Sequence, residues 1–211
     1  MEKPVLWFLD RDGTLIEDPG YLGRKDNWKE EIKVFPGVIQ GLSKLRETGK
    51  IVVGSNQAGV ARGYFSIEIA EKVQEYIREI LRGEGGVILN GWQICPFVGE
   101  DYAKKHKLRV ENPWVKETDM RKPRIGMISL ACLDLGLSLE DLQVYSIGDK
   151  AIDVQTGINA RGKGILVLTG HGEENREKVE QMRLQYPGRI FIANNFLEAA
   201  RLGLEDLAKL Q

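Results

Sequence analysis

Four short stretches of this chain place side chains suited to phosphoryl chemistry just beyond or beside apolar runs. "VLWFLDRDGTL" (5–15) carries five apolar residues straight into Asp10 and Asp12, one residue apart. "GSNQAGVARG" (54–63) supplies Ser55, Asn56 and Gln57 in a glycine-spaced turn; "MRKP" (120–123) supplies Arg121 and Lys122; "IGDKAID" (147–153) supplies Asp149, Lys150 and Asp153. A carboxylate can attack phosphorus and carry the phosphoryl group covalently, which splits one difficult step into two easier ones. Asp10 is the candidate nucleophile. A second carboxylate two residues on can protonate the leaving alkoxide and later deprotonate water, the role expected of Asp12. Two anions approach a phosphate only with a hard cation between them, so Mg2+ is expected on Asp10 and Asp149 with the Asp12 carbonyl. Ser55, Lys122 and backbone N–H groups of the glycine-rich turns would stabilise charge on the transferring oxygens.

Singly these signals are weak. An isolated Asp-x-Asp is commonly a solvated turn, and "GSNQAGVARG" on its own commonly serves only the turn and is no dinucleotide fingerprint; the combination carries the reading. Asp153 is expected behind the site, supporting Asp149 and Lys150. Arg62, with Arg24 and Lys25, is a candidate reader of a second phosphate. The basic run "KKHKLR" (104–109) reads as a solvated face, and His106 and His171 have no assigned role.

For these side chains to meet, the apolar runs that precede most of them must lie side by side as parallel strands, because ligands bind beyond the carboxyl ends of such strands. Val5 to Leu9, "KIVVGS", "GVILNGWQIC", "QVYSIGD", "GILVL" and "RIFIAN" read as those strands. Helices are expected from "FPGVIQGLSKLRETG", from Ser66 to about Arg82, from "RIGMISLACLDLG" and from "NFLEAARLGLEDLAKL", which gives an α/β chain with a parallel sheet flanked by helices. Two irregular stretches stand out, Asp18 to Phe35 and an extended loop at about 96–123. We expect one domain over 1–211, including that loop.

Composition narrows the partners. Thirty basic and thirty-one acidic residues leave a net charge of -1, so no nucleic acid or anionic membrane is expected as partner. Two cysteines, Cys95 and Cys132, lie far apart and suggest a reducing cytoplasm, and the first apolar run is shorter than a signal-peptide core.

"DRDGTL", "SNQAGVARG", "RKPRIGM" and "GDKAID" together resemble the four motifs of the haloacid-dehalogenase (HAD) superfamily phosphatases, in order, over about three-quarters of the chain. Within it they most resemble the heptose bisphosphate 7-phosphatases and the related histidinol phosphatases. The resemblance implies a Rossmann-like fold without a substantial cap domain, with Asp10, Asp12 and Asp149 on Mg2+ and Ser55 and Lys122 on the phosphoryl group. It also makes the segment from Asp18 through Gly20 to Tyr21 a substrate contact, together with Arg11, Asn56, Gln57, Arg62, Arg121 and Lys150. Relatives often carry a zinc loop with Cys-x-His and Cys-x-Cys; here the matching positions are Cys95 with Phe97 and Thr118 with Met120, so structural zinc is not expected. The loop should instead be held by packing of Phe97, Tyr102, Leu108, Val110 and Trp114. The expected enzyme is a cytoplasmic, monomeric, Mg2+-dependent phosphomonoester hydrolase acting on a small phosphorylated sugar, D-glycero-D-manno-heptose 1,7-bisphosphate at its 7-phosphate. The alternatives are a histidinol-phosphate phosphatase, a polynucleotide 3'-phosphatase, or a catalytically silent binding domain of the same fold.

Overall fold

A computed structural model describes residues 3–109 and 111–210. Its first strand, β1 (Val5–Leu9), is buried at all five positions. Successive strand side chains point to opposite faces, so a strand covered on both sides is apolar throughout. Val5, Trp7 and Leu9 pack on one face against α1 (Val38–Leu45), α3 (Ile67–Gly85) and α8 (Phe196–Ala208); Leu6 and Phe8 pack on the other against α5 (Gly126–Asp134).

The other strands are β2 (Gly49–Asn56), β3 (Gly91–Cys95), β4 (Gln143–Gly148), β5 (Lys163–Val167) and β6 (Ile190–Ala193). All pair in parallel, in the order β3-β2-β1-β4-β5-β6. The chain runs outward from β1 to β3 and then returns to the other side of β1 as β4. The crevice at this reversal lies beyond the carboxyl ends of β1 and β4, the place where doubly wound sheets bind ligands. Asp10 follows β1, and Asp149 follows β4.

Two helices beyond those expected complete the second face. α6 (Ala151–Asn159) and α7 (Gly172–Gln185) bury Val154, Ile158, Val179 and Met182 against Leu166 and Ile190. β3 is shorter than the apolar run before Cys95 suggests, because the Asn90 side chain takes the Ile51 N–H at 2.8 Å and Val87 and Leu89 enter the core outside any strand. α3 runs past Gly83 to Gly85 and ends on left-handed Gly86 (φ 59°), the helix-ending geometry that glycine adopts without cost.

The 96–123 stretch is less irregular than expected and forms no separate cap among the described residues. It contains α4 (Glu100–Lys105) and a bridge between Val98 and Val115, with the Val98 N–H on the Trp114 carbonyl and the Lys116 N–H on the Val98 carbonyl, both at 2.9 Å. Phe97 and Trp114 pair their rings at 5.4 Å, and Tyr102 stacks on His106 at 4.1 Å. The Cys95 thiol donates to the Phe97 carbonyl. Val110, expected in this packing, lies outside the described residues. No helix among the described residues is long and apolar enough to cross a membrane.

Candidate active site

A cavity of about 430 Å3 opens at the reversal point, lined by Asp10 and Asp12 from the loop after β1, Ser55 and Asn56 from the end of β2, Gln57 at the start of the short helix α2 (Ala58–Ala61), Lys122, and Lys150 and Asp153 from the start of α6. Asp18, Gly20, Tyr21 and His171 close its outer side. A wider groove of about 660 Å3 between α1 and α8 is lined by residues such as Leu197, Leu204 and Arg201 and by none of the candidate catalytic groups.

The innermost part is a compact set of charges. Lys122 Nζ lies 2.5 Å from Asp10 Oδ1 and 2.6 Å from Asp153 Oδ1, with all three side chains buried. Asn56 fixes the lysine's backbone from both sides, accepting the Lys122 N–H at 3.1 Å and donating to the Lys122 carbonyl at 3.2 Å. Burial pushes the Asp10 carboxyl up to about 7; Lys122 opposes the rise, and Asp153 and Asp149 add to it. Burial raises Asp149 to about 6, with Lys150 opposing and Asp153 reinforcing. Burial alone would lower the Lys122 ammonium, but Asp10 and Asp153 outweigh it and hold the charge on.

Asp10, Asp149 and Asp153 each present a carboxylate oxygen within 4.8 Å of the others. Asp149 Oδ2 accepts the His171 backbone N–H at 2.8 Å, whereas the buried Oδ1 has no hydrogen-bond partner and its nearest cation, Lys150 Nζ, is 3.7 Å away. A buried anionic oxygen left in that state matches a site for a hard cation, and the all-oxygen donor set suits Mg2+ better than zinc. Asp153 is differently employed. Its Oδ1 also lacks a hydrogen bond of good geometry but lies 2.6 Å from the Lys122 ammonium, and its Oδ2 accepts the Lys150 N–H at 3.0 Å, capping α6.

Asp12 is held by Arg11, whose Nε and Nη2 donate to its two oxygens at 2.9 and 2.8 Å, and by Gln57 Nε2 at 3.0 Å. Gln57 also donates to Ser55 Oγ at 2.8 Å. Gly13 (φ 82°) lets the chain turn under this group; a Cβ there would lie 2.1 Å from Asp149 Oδ2. The outer rim is set by a turn in which Asp18 Oδ1 accepts the Gly20 N–H at 2.9 Å, followed by Tyr21 in the left-handed region (φ 58°). Such a conformation is costly for a tyrosine, and it is held by Arg62, which hydrogen-bonds the Tyr21 hydroxyl, and by the edge of Tyr64 at 4.7 Å.

Most of the expected site residues therefore converge. Three of the expected arginines do not line the cavity: Arg11 is fully buried on Asp12, Arg62 lies over the Tyr21 and Tyr64 rings at 5.0 and 4.8 Å, and Arg121 donates to the Phe97 carbonyl at 3.0 Å while lying over Tyr102. Sequence reasoning missed Thr169, Gly170 and His171. They follow the apolar run "GILVL", so the same rule that found the other groups, polar residues just after a strand, points to them.

A HAD-hydrolase-like family model matches residues 119–199. The chain is 34% identical over 174 residues to the D-glycero-D-manno-heptose-1,7-bisphosphate 7-phosphatase of Thermosynechococcus vestitus, covering 82% of this chain and 83% of that one. It is 36% identical over 172 residues to the D-glycero-beta-D-manno-heptose-1,7-bisphosphate 7-phosphatase of Haemophilus influenzae, covering 81% and 84%. Among solved structures, the D,D-heptose 1,7-bisphosphate phosphatase of B. bronchiseptica, crystallised with magnesium and phosphate, shares the fold at TM-score 0.70 and 22% identity over 96% of this chain and 99% of that one. A HAD-like phosphatase structure from Mesorhizobium loti matches at TM-score 0.63 and 32% identity over 79% of this chain and 73% of that one.

Proposed function

This chain belongs to the heptose-1,7-bisphosphate 7-phosphatase family of the HAD superfamily, and we propose that it removes the 7-phosphate of D-glycero-D-manno-heptose 1,7-bisphosphate through an aspartyl-phosphate on Asp10. The observation that carries the mechanism is the Asp10–Lys122–Asp153 group beside the unpartnered Asp149 oxygen.

In the first step an Asp10 carboxylate oxygen bonds to phosphorus as the bond from phosphorus to the sugar oxygen breaks, and Asp12 gives that oxygen its proton. In the second, Asp12 takes a proton from water, whose oxygen bonds to phosphorus as the Asp10–phosphorus bond breaks. Phosphate leaves, and both carboxyls return to their starting states. Asp10, Asp149 and the Asp12 carbonyl would hold Mg2+, which supplies positive charge against the phosphate oxygens. Lys122 and Ser55 face the same oxygens from the protein side; Asp153 keeps the lysine in place and Gln57 orients both Ser55 and Asp12.

Asp18, Gly20, Tyr21, Asn56 and Lys150 would contact the sugar end. Arg11, Arg62 and Arg121 act from behind, holding Asp12, Tyr21 and the 96–123 loop. Asp18 already lies 3.7 Å from the Lys150 ammonium and 3.5 Å from His171 Nε2, so the rim offers an amine-bearing substrate such as histidinol phosphate no free carboxylate there. The test is phosphate release with Mg2+ across both heptose bisphosphate anomers, histidinol phosphate and a 3'-phosphorylated oligonucleotide. Preferred turnover of a heptose bisphosphate supports the assignment; its absence alongside ready cleavage of the others rejects it.

A further inference from the structure

We propose that the loop after β5, Thr169 to His171, is a positioning element of the active site that selects which Asp149 oxygen faces the cation. Thr169 Oγ1 donates to the Gly13 carbonyl at 2.7 Å, joining this loop to the turn that carries Asp10 and Asp12. The His171 backbone N–H occupies Asp149 Oδ2 at 2.8 Å. Gly170 (φ 55°) passes so close that a Cβ would lie 2.5 Å from Asp149 Oδ2 and 2.5 Å from the Gly13 Cα. The Asp149 carboxylate is thus clasped between Gly13 and Gly170. One oxygen is used by a backbone donor, Oδ1 is left buried and free of hydrogen bonds, and the carboxylate stands within 4.8 Å of those of Asp10 and Asp153.

Hydrogen-bonded neighbours that fix a ligand's orientation commonly change metal affinity by about 10- to 100-fold when removed. Thr169→Val keeps the side-chain shape and removes the donor, leaving the Gly13 carbonyl unpaired. The inference rests on the Mg2+ reading above, so binding of Mg2+ alone is measured by calorimetry on metal-stripped protein, with thermal unfolding in EDTA measured in parallel. We expect the Mg2+ dissociation constant to rise about 10-fold in Thr169→Val and to recover in Thr169→Ser, with little change in metal-free unfolding. Gly170→Ala, whose Cβ must displace Asp149, should weaken binding at least as much; if strain at φ 55° prevents its folding, the Thr169 pair decides alone. Wild-type affinity in Thr169→Val, or a loss confined to metal-free stability, overturns the inference while leaving the Mg2+ reading standing. No Mg2+ binding by the wild type overturns both.

Discussion

Among the described residues, Lys122 is the single cation in ion-pair contact with both Asp10 and Asp153 in the buried heart of the site. Replacing it by methionine leaves two enclosed carboxylates without that charge, which should cost about 3 kcal/mol near neutral pH and abolish phosphate release. The penalty should shrink at pH 5.5, where the carboxyls can take up protons instead; equal losses by thermal unfolding at pH 5.5 and 7.5 would contradict the ion-pair account. Asp10 and Asp149 predict a second pH effect. Their folded values of about 7 and about 6 lie above the ordinary 3.8, so between roughly pH 4 and 7 the metal-free folded state holds more protons than the unfolded chain. Each of these carboxyls therefore withdraws stability as pH rises through that window. Mg2+ bound at these carboxyls would compete with those protons, so the rise in Tm on adding Mg2+ should be larger at pH 7.5 than at pH 5.5. A shift independent of pH would show that the cation binds elsewhere.

The elements differ in how plainly the sequence shows them. β1 is legible because Val5 to Leu9 is a short unbroken apolar run halted by charge, and Asp10, Asp12, Ser55 and Asp149 are legible because each stands at the end of such a run. α7 is not, because only Gly172, Val179 and Met182 of its fourteen residues are buried, too narrow a stripe to give a clear period. α6 hides behind Asp153 and Gly157, which read as turn residues in isolation. The contacts of the arginines are out of reach of one-dimensional reading, since they depend on partners distant in the chain, as with Arg121 and Phe97. That loop is held by local packing, and Trp114→Ala should loosen it by roughly 2 kcal/mol, about half the cost of emptying a fully buried aromatic site. Faster hydrogen exchange at the Val98 and Lys116 amides should report the loosening, because those two groups bond across the loop. Unchanged protection there would mean that Phe97 and Trp114 do not hold it.

At the scale of the molecule, the order β3-β2-β1-β4-β5-β6 puts β1 and β4 at the centre, so the site stands on the two most enclosed strands. Trp7 on β1 stacks on Tyr145 of β4 at 4.6 Å, which ties these strands together beneath the carboxylates, and its indole N–H reaches Thr48, just before β2, at 3.2 Å. We propose that residues 1–211 fold as one unit. Unfolding followed by tryptophan fluorescence and by far-ultraviolet circular dichroism should then coincide in a single transition, and two separated transitions would divide the chain. A sheet carrying the candidate nucleophile Asp10 and the Asp149 carboxylate on adjacent strand ends would leave substrate choice to the loops above it. The most direct test of the central claim is therefore phosphate release from heptose 1,7-bisphosphate in Mg2+ by the wild type and by Asp10→Asn. The account predicts selective turnover that falls by a factor on the order of 10^4 or more in the variant; comparable turnover in both would remove Asp10 from the reaction and contradict it.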